Sequence, residues 1–415
     1  MKIIKKIINN VPVTFIITKK FKSVAGALVF KRKITRKKFT SSSFLRILML
    51  ENTKKYNTNV KLSINAMENY DAYYGAKNRR DGNYISNVFY FKTLNDKYTE
   101  ENNLSRVIDT FNEIVFNPNV NNNMFDKKTF EKKYKDIEVS IKRRKENQRI
   151  YASHRLSKLL NQNKAYSYDI ELFDLKNITS ESLYKDYVDM LENSCVELVL
   201  AGDISDCDKV FESIAKNVKN NKKVDDNLYI SNDDEGLECK EYNEKGYGMQ
   251  GVLNMVLYLK NTTFYEKNYV MPIYNVILGG GSNSRLFNSV REDNSLAYYC
   301  FSRLEKDDNL IQIIAGIEKK NEKKAIDIIK DTLNNMNNIT DDEVYNAKKE
   351  LKSGLISSQD DILNVISRKL IENMYNLPDC SNYIEKLNSV TKEEIININK
   401  KVFLGLIYYL EENDE

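Results

Sequence analysis

At 415 residues the chain is nearly three times the length of a typical single domain, and its 41% apolar and 11% aromatic content can fill sizeable cores, so two or more domains are expected and global disorder is excluded. Lys plus Arg number 64 against 59 Asp plus Glu, a net charge of +5 that is too evenly balanced for a nucleic-acid or polyanion binder. No run of 18 apolar residues occurs, and the basic start at 1–6 gives way to Asn9, Asn10 and Pro12 without a small-residue cleavage site; no membrane span, no signal peptide and a cytoplasmic location are expected.

Strands are predicted at 13–18 and 23–30, where apolar residues alternate or run together. A helix follows over 40–55 with Phe44, Leu45, Leu48 and Met49 on its apolar face, then a strand at 88–93 and a helix at 104–116. Phe130, Tyr134, Ile137 and Ile141, spaced by 4, 3 and 4, draw one apolar stripe on a long charged helix, which Lys142-Arg-Arg-Lys145 continues as a solvated face. Thr179 opens another helix and 196–200 forms a strand. Residues 216–236 lose periodicity and fill with Asn, Asp and Lys, marking a linker between a first half, 1–215, and a second, 237–415.

The second half repeats the first. Val107-Ile-Asp-Thr-Phe111 returns as Ala325-Ile-Asp-Ile-Ile329, the stripe pair Phe130, Tyr134 as Ala347, Leu351, and Thr179 with Leu183 as Thr391 with Ile395; earlier in each half Ala72-Tyr-Tyr74 returns as Ala297-Tyr-Tyr299. The offsets shrink from 225 through 218 and 217 to 212, as shorter loops in the second half would require. Thr340 with Glu343 and Thr391 with Glu394 have the spacing of capping boxes, 310–317 is a buried strand, and Ile326, Ile329, Leu333 and Met336 form a helical stripe. Each half therefore predicts an α+β fold, a mostly antiparallel sheet with helices packed on one face.

The rare residues limit the chemistry. His154 is the single histidine, so no site with two or three His ligands to zinc can be built from this chain, and its helix-like surroundings carry no nucleophile signature; a structural role is expected. The five cysteines, at 195, 207, 239, 300 and 380, include no C-x-x-C pair and read as reduced thiols.

The stretch from Asn275 to Phe301 is the most informative. A helix at 269–278 meets Gly279, Gly280 and Gly281, a turn where glycine tolerates positive φ, and Ser282 or Ser284 can cap the helix that runs on to Arg291. No Lys follows as in a P-loop, and Ser284 stands where a dinucleotide fingerprint needs its third glycine. The strings Leu278-Gly-Gly-Gly281, Ser284-Arg-Leu-Phe287, Val290-Arg-Glu292 and Leu296-Ala-Tyr298 resemble the second half of the short pitrilysin/insulinase-like zinc peptidases, and the duplicated halves and central linker extend the resemblance over essentially the whole chain.

The resemblance implies a clamshell of two halves in which Arg291 and Tyr298 bind the substrate peptide and polarise its scissile carbonyl, roles suited to a guanidinium and a phenol that donate without competing basicity. It also implies a loss. The family's first half carries His-x-x-Glu-His on a helix, where this chain has Ser43-Phe-Leu-Arg-Ile47: Ser43 and Ile47 stand for the histidines and Arg46 for the glutamate, so this chain is expected to hold no metal. Within such a family the chain is similar to the zinc-less partners of zinc-bearing subunits. The expectation is a non-catalytic, substrate-binding subunit of a heterodimeric zinc metallopeptidase that processes peptides, such as leader removal from a ribosomally made, modified peptide. It would be inactive alone, with zinc in the partner subunit and no nucleic-acid or membrane partner. The alternative is a zinc-free peptide-binding or chaperone module with no proteolytic role.

Overall fold

The computed structural model describes residues 1–99, 102–160, 164–166, 169–204, 206–219, 221–223 and 238–413. In chain order the elements of the first half are β1 (Lys2–Ile8), β2 (Val11–Ile17), β3 (Ser23–Lys33), α1 (Arg36–Leu48), α2 (Asn59–Glu68), β4 (Tyr73–Asp81), β5 (Tyr84–Leu94), α3 (Asn103–Phe116), the short ribbon β6 (Val120–Asn121) and β7 (Met124–Phe125), α4 (Lys127–Arg143), α5 (Gln148–Leu160), α6 (Leu172–Lys176), α7 (Ser180–Asn193), β8 (Cys195–Gly202) and α8 (Cys207–Ala215). The second half contributes β9 (Lys240–Lys245), β10 (Val252–Leu259), α9 (Met271–Asn275) within a longer helical stretch, β11 (Ala297–Glu305), β12 (Leu310–Ile317), α10 (Glu322–Asn334), α11 (Asp341–Ser358), α12 (Ile362–Met374), α13 (Cys380–Ser389), α14 (Lys392–Ile398) and β13 (Val402–Glu411).

Two sheets carry the duplication. The first has the order β1-β2-β8-β3-β5-β4 and the second β11-β12-β10-β13-β9. Read from opposite ends, β2-β8-β3-β5-β4 and β9-β13-β10-β12-β11 are the same arrangement. Each has one parallel pair, β2 with β8 and β13 with β9, and is antiparallel elsewhere. The repeated Ala-Tyr-Tyr strings mark equivalent places, since β4 and β11 are the free edges opposite the parallel pair. The α+β class and the two mostly antiparallel sheets match the sequence expectation.

In the first unit the main core lies between the sheet and α1, α3, α7 and α8, with Phe15, Phe30, Phe44, Phe91 and Phe111 buried together. The stripe Phe130, Tyr134, Ile137, Ile141 of α4 packs against it, as the spacing predicted. Helix α1 begins earlier than expected because the Thr35 hydroxyl accepts from Lys38 N at 3.2 Å and caps it there. In the second unit the capping boxes are formed: Thr340 with Glu343 before α11 and Thr391 with Glu394 before α14 satisfy each other's backbone amides.

The compact units differ from the contiguous halves 1–215 and 237–415 at two segments. One unit comprises Met1–Ile141, Asp169–Leu228 and Ser358–Leu377; the other takes Lys142–Tyr168, Tyr229–Ser357 and Pro378–Glu415. The physical reason is burial. Helices from the same half cover one face of each sheet, and the other face is covered by a helix from the opposite half of the sequence. Ile362, Val365, Ile366 and Leu370 of α12 pack on Ile16, Ala25, Ala27, Val29, Val88, Val199 and Ala201 of the first sheet. Ala152 and Leu156 of α5 pack on Val252, Val256, Tyr258, Leu310, Ile314, Leu406, Tyr408 and Leu410 of the second. Polar ties fix both: Lys77 Nζ donates to Ser367 Oγ at 3.0 Å in the first unit, and Arg155 Nε to Glu244 Oε2 at 2.7 Å in the second. Most of the expected linker, 224–236, lies outside the described residues. At its start Asn221 Oδ1 accepts from Val196 N at 2.7 Å, which ties this stretch to β8.

Candidate functional site

The informative stretch of the second unit is a helix interrupted by wide turns. Five-residue π-helical turns at Glu266–Val270 and Val276–Gly280 flank α9. The glycines at its end are needed for proximity, not for positive φ: Gly281 closes the turn at φ −95°, and Gly82 and Gly202 are the glycines with positive φ among the described residues. A Cβ on Gly279 would lie 2.7 Å from the backbone N of Ser302, so only glycine lets this helix end approach β11. Gly281 also borders a groove of about 630 Å³ shared with Glu343, Asn346 and Glu350 of α11, which neither Arg291 nor Tyr298 lines.

Arg285 is a structural tie. It reaches Glu343 at 2.6 and 2.8 Å and the carbonyls of Asn335 and Asn338 at 2.6 and 2.9 Å. Burial opposes the charged form of Glu343, but Arg285 and the Thr340 cap hold its carboxyl below the usual carboxylate range. Ser284 does not cap with its side chain: the hydroxyl is buried and has no hydrogen-bond partner.

Arg291 sits in the wide turn Phe287–Glu292, its guanidinium 4.9 Å from the Phe287 ring centroid, 3.6 Å from Glu292 and half exposed. Three backbone bonds, Asp293 N to Asn288 O, Ser295 N to Arg291 O and Leu296 N to Val290 O, fold the connection into β11. There the register slips by one residue between Ala297 and Cys300 against β12, and this bulge turns Tyr298 outward at 69% exposure while Cys300 behind it is buried. Burial pushes the Cys300 thiol up to about 12, so it is no nucleophile. Arg291 and Tyr298 are thus carried on successive short elements at one sheet edge, both open to solvent.

In the first unit, Ser43, Arg46 and Ile47 lie on α1, and they do not suit zinc. The Ser43 hydroxyl donates to the Phe39 carbonyl at 3.0 Å, Arg46 is an exposed cation and Ile47 has no lone pair to offer. Among the described residues no group of three or more His, Cys, Asp or Glu side chains is placed to hold a metal. His154 is buried on α5 with both ring nitrogens 3.2 Å from Arg144 Nη1, a structural setting. Among the described residues no disulfide is formed. Sequence reasoning missed the cluster of Tyr73 and Lys77 around Tyr90, on which the charge of Arg46 acts; the signal was the first Ala-Tyr-Tyr string, which the duplication alone had accounted for.

Comparison with known proteins agrees with this picture. The model of the peptidase M16 inactive domain matches residues 177–351. The chain is a homologue of the M16 peptidases. It is 26% identical over 405 residues to the probable inactive metalloprotease YmfF of Bacillus subtilis strain 168, covering 95% of this chain and 94% of that one. It is 29% identical over 147 residues to the uncharacterized zinc protease YmxG of the same strain, covering 34% of this chain and 36% of that one. Among solved structures, a conserved protein from Enterococcus faecalis V583 superposes with a TM-score of 0.89 at 24% identity, over 100% of this chain and 99% of that one. No helix among the described residues is long and apolar enough to cross a membrane.

Proposed function

We propose that this M16 homologue is the non-catalytic, substrate-binding subunit of a heterodimeric zinc peptidase that processes peptides in the cytoplasm. The observation that carries this reading is the contrast between the two sites. The zinc-motif positions Ser43, Arg46 and Ile47 offer no ligand, while Arg291 and Tyr298 remain solvent-accessible on a bulged sheet edge. The similarity to both a probable inactive metalloprotease and a zinc protease in one Bacillus strain supports a pairing of the two kinds. In the pair, zinc and its activated water belong to the partner; Arg291 and Tyr298 donate to the substrate carbonyl as negative charge develops on it.

The test is co-expression with a zinc-bearing homologue from the same organism. A one-to-one complex with zinc in the partner and peptide turnover is expected, and Arg291→Ala or Tyr298→Phe should lower turnover roughly a hundred- to a thousandfold without loss of zinc or assembly. Unassociated monomers at micromolar concentration, or unchanged turnover in both variants, would remove the reading. Peptide binding by the chain alone, with no associated zinc-bearing subunit, would favour the zinc-free peptide-binding module, for which the free edges of β4 and β11 supply backbone donors and acceptors.

A further inference from the structure

The first unit has a polar cluster of its own at the edge strand β4, and it is unlike a metal site. Tyr90, on β5, lies across β4 at Gly75, where a Cβ would come within 2.3 Å of its ring and 2.5 Å of its hydroxyl; only glycine lets the phenol reach the sheet edge. Tyr73, half exposed at the start of β4, meets it with ring centroids 5.8 Å apart and tilted by 49°. Arg46, in the last turn of α1, is exposed and near enough for its positive charge to act on Tyr90. Burial and the neighbouring Tyr73 hydroxyl push Tyr90 up to about 12, so it keeps its proton at physiological pH and remains a donor. Lys77 adds a second cation, its ammonium 6.0 Å from the Tyr90 ring centroid and bonded to the neutral Ser367 hydroxyl. Among the described residues neither Arg46 nor Lys77 has a carboxylate at ion-pair distance.

Two cations without an ion-pair partner among the described residues, together with two phenols at a free sheet edge, make an anion site. A carboxylate fits it best, because a guanidinium can engage both oxygens while hydroxyl donors fill the remaining lone pairs. We propose that Arg46, Tyr73 and Tyr90 form a carboxylate-binding site for an extended peptide, taking either its C-terminal carboxylate or an acidic side chain. The position that would hold the general base of a zinc peptidase has become the anchor for an anion. This inference is independent of the Arg291/Tyr298 reading, since it concerns binding by the chain alone, without partner or zinc.

Fluorescence anisotropy with the full chain tests it. Three probes are used: a fluorescein-labelled nonapeptide of Ser, Ala and Val with a free C-terminal carboxylate, its amidated twin, and an amidated version with one internal Glu. The free acid should bind about tenfold or more tightly than the plain amide, the scale of one lost charge-assisted hydrogen-bonded contact. Recovery of binding in the Glu-bearing amide would support the site with a side chain as its source. Arg46→Gln should abolish the preference, and Tyr73→Phe should lower it severalfold, both at unchanged melting temperature. Equal binding of all three probes, binding of none, or a preference that survives in folded Arg46→Gln would overturn the proposal.

Discussion

The two units share a strand order, a free edge strand with an exposed tyrosine in its first two residues, and a helix borrowed from the opposite half of the sequence, yet they hold their charges differently. The first unit buries them. Arg32, with 1% side-chain exposure, donates to Asp186 at 3.1 Å, Asp189 at 3.0 Å and Ser42 at 3.2 Å, and Ser42 passes the chain on to Asn87 at 2.9 Å. Lys31 and Glu197 pair at 2.8 Å on the opposite face of the same sheet. The second unit places the ties of Arg285 with Glu343 and of Arg155 with Glu244 where water still reaches both partners. Shared ancestry fixed the topology, while each unit solved its local electrostatics separately. Buried pairs are costly to break from one side, whereas a wet pair is largely replaceable by solvent.

The largest effect should come from Arg32→Ala, which strands Asp186 in the core and should cost about 3–5 kcal/mol, read by calorimetry as a loss in the first unit. A loss comparable to that of Arg285→Ala, expected on the order of 1 kcal/mol, would erase the contrast between the units. Next come the exchanged helices. Leu370→Ala in α12 and Leu156→Ala in α5 each open a cavity under a borrowed helix and should cost about 2–5 kcal/mol, each destabilising the unit that receives the helix rather than the half that encodes it. Gly279→Ala presses a methyl on the Ser302 backbone and should cost about 1–3 kcal/mol in urea titrations.

The smallest effect is a pH dependence. Because Arg285 and the cap at Thr340 hold Glu343 below its ordinary pKa, its contribution is present above the unfolded carboxylate value and is lost as pH falls through the lower folded value. Glu343→Gln should therefore flatten the acid side of the stability profile of the second unit. A profile as steep as that of the parent chain would assign the acid sensitivity elsewhere.

What the sequence made legible follows from periodicity and local chemistry. The α4 stripe and both capping boxes rest on spacings of three or four residues, the strand at β12 on a short apolar run and the duplicated order on offsets of 212 to 225, and all appear in the structure. The glycine run was visible but its purpose was not: positive φ is a local property, while the approach of Gly279 to Ser302 depends on a contact 23 residues away. Helix α2 escaped notice because Val60, Ile64 and Met67 are exposed and Leu62 is its one buried residue, so its apolar stripe does not mark a core face. The exchange of α5 and α12 was invisible for the same reason that it matters. An amphipathic helix records that it needs a partner and not which sheet supplies it.

That exchange sets the order of events at the ribosome. The face of the first sheet formed by Ile16, Ala27, Val29 and Val199 has no cover until residues 362–370 have been made, more than 150 residues after β8 completes the sheet. During that interval a nascent chain presents a bare apolar surface to whatever is nearby, and a fragment ending at 215 would present it permanently. Neither half of the gene therefore encodes a self-sufficient product. The molecule becomes safe from self-association only when its C-terminal helices emerge, so its assembly is timed by translation as much as by folding.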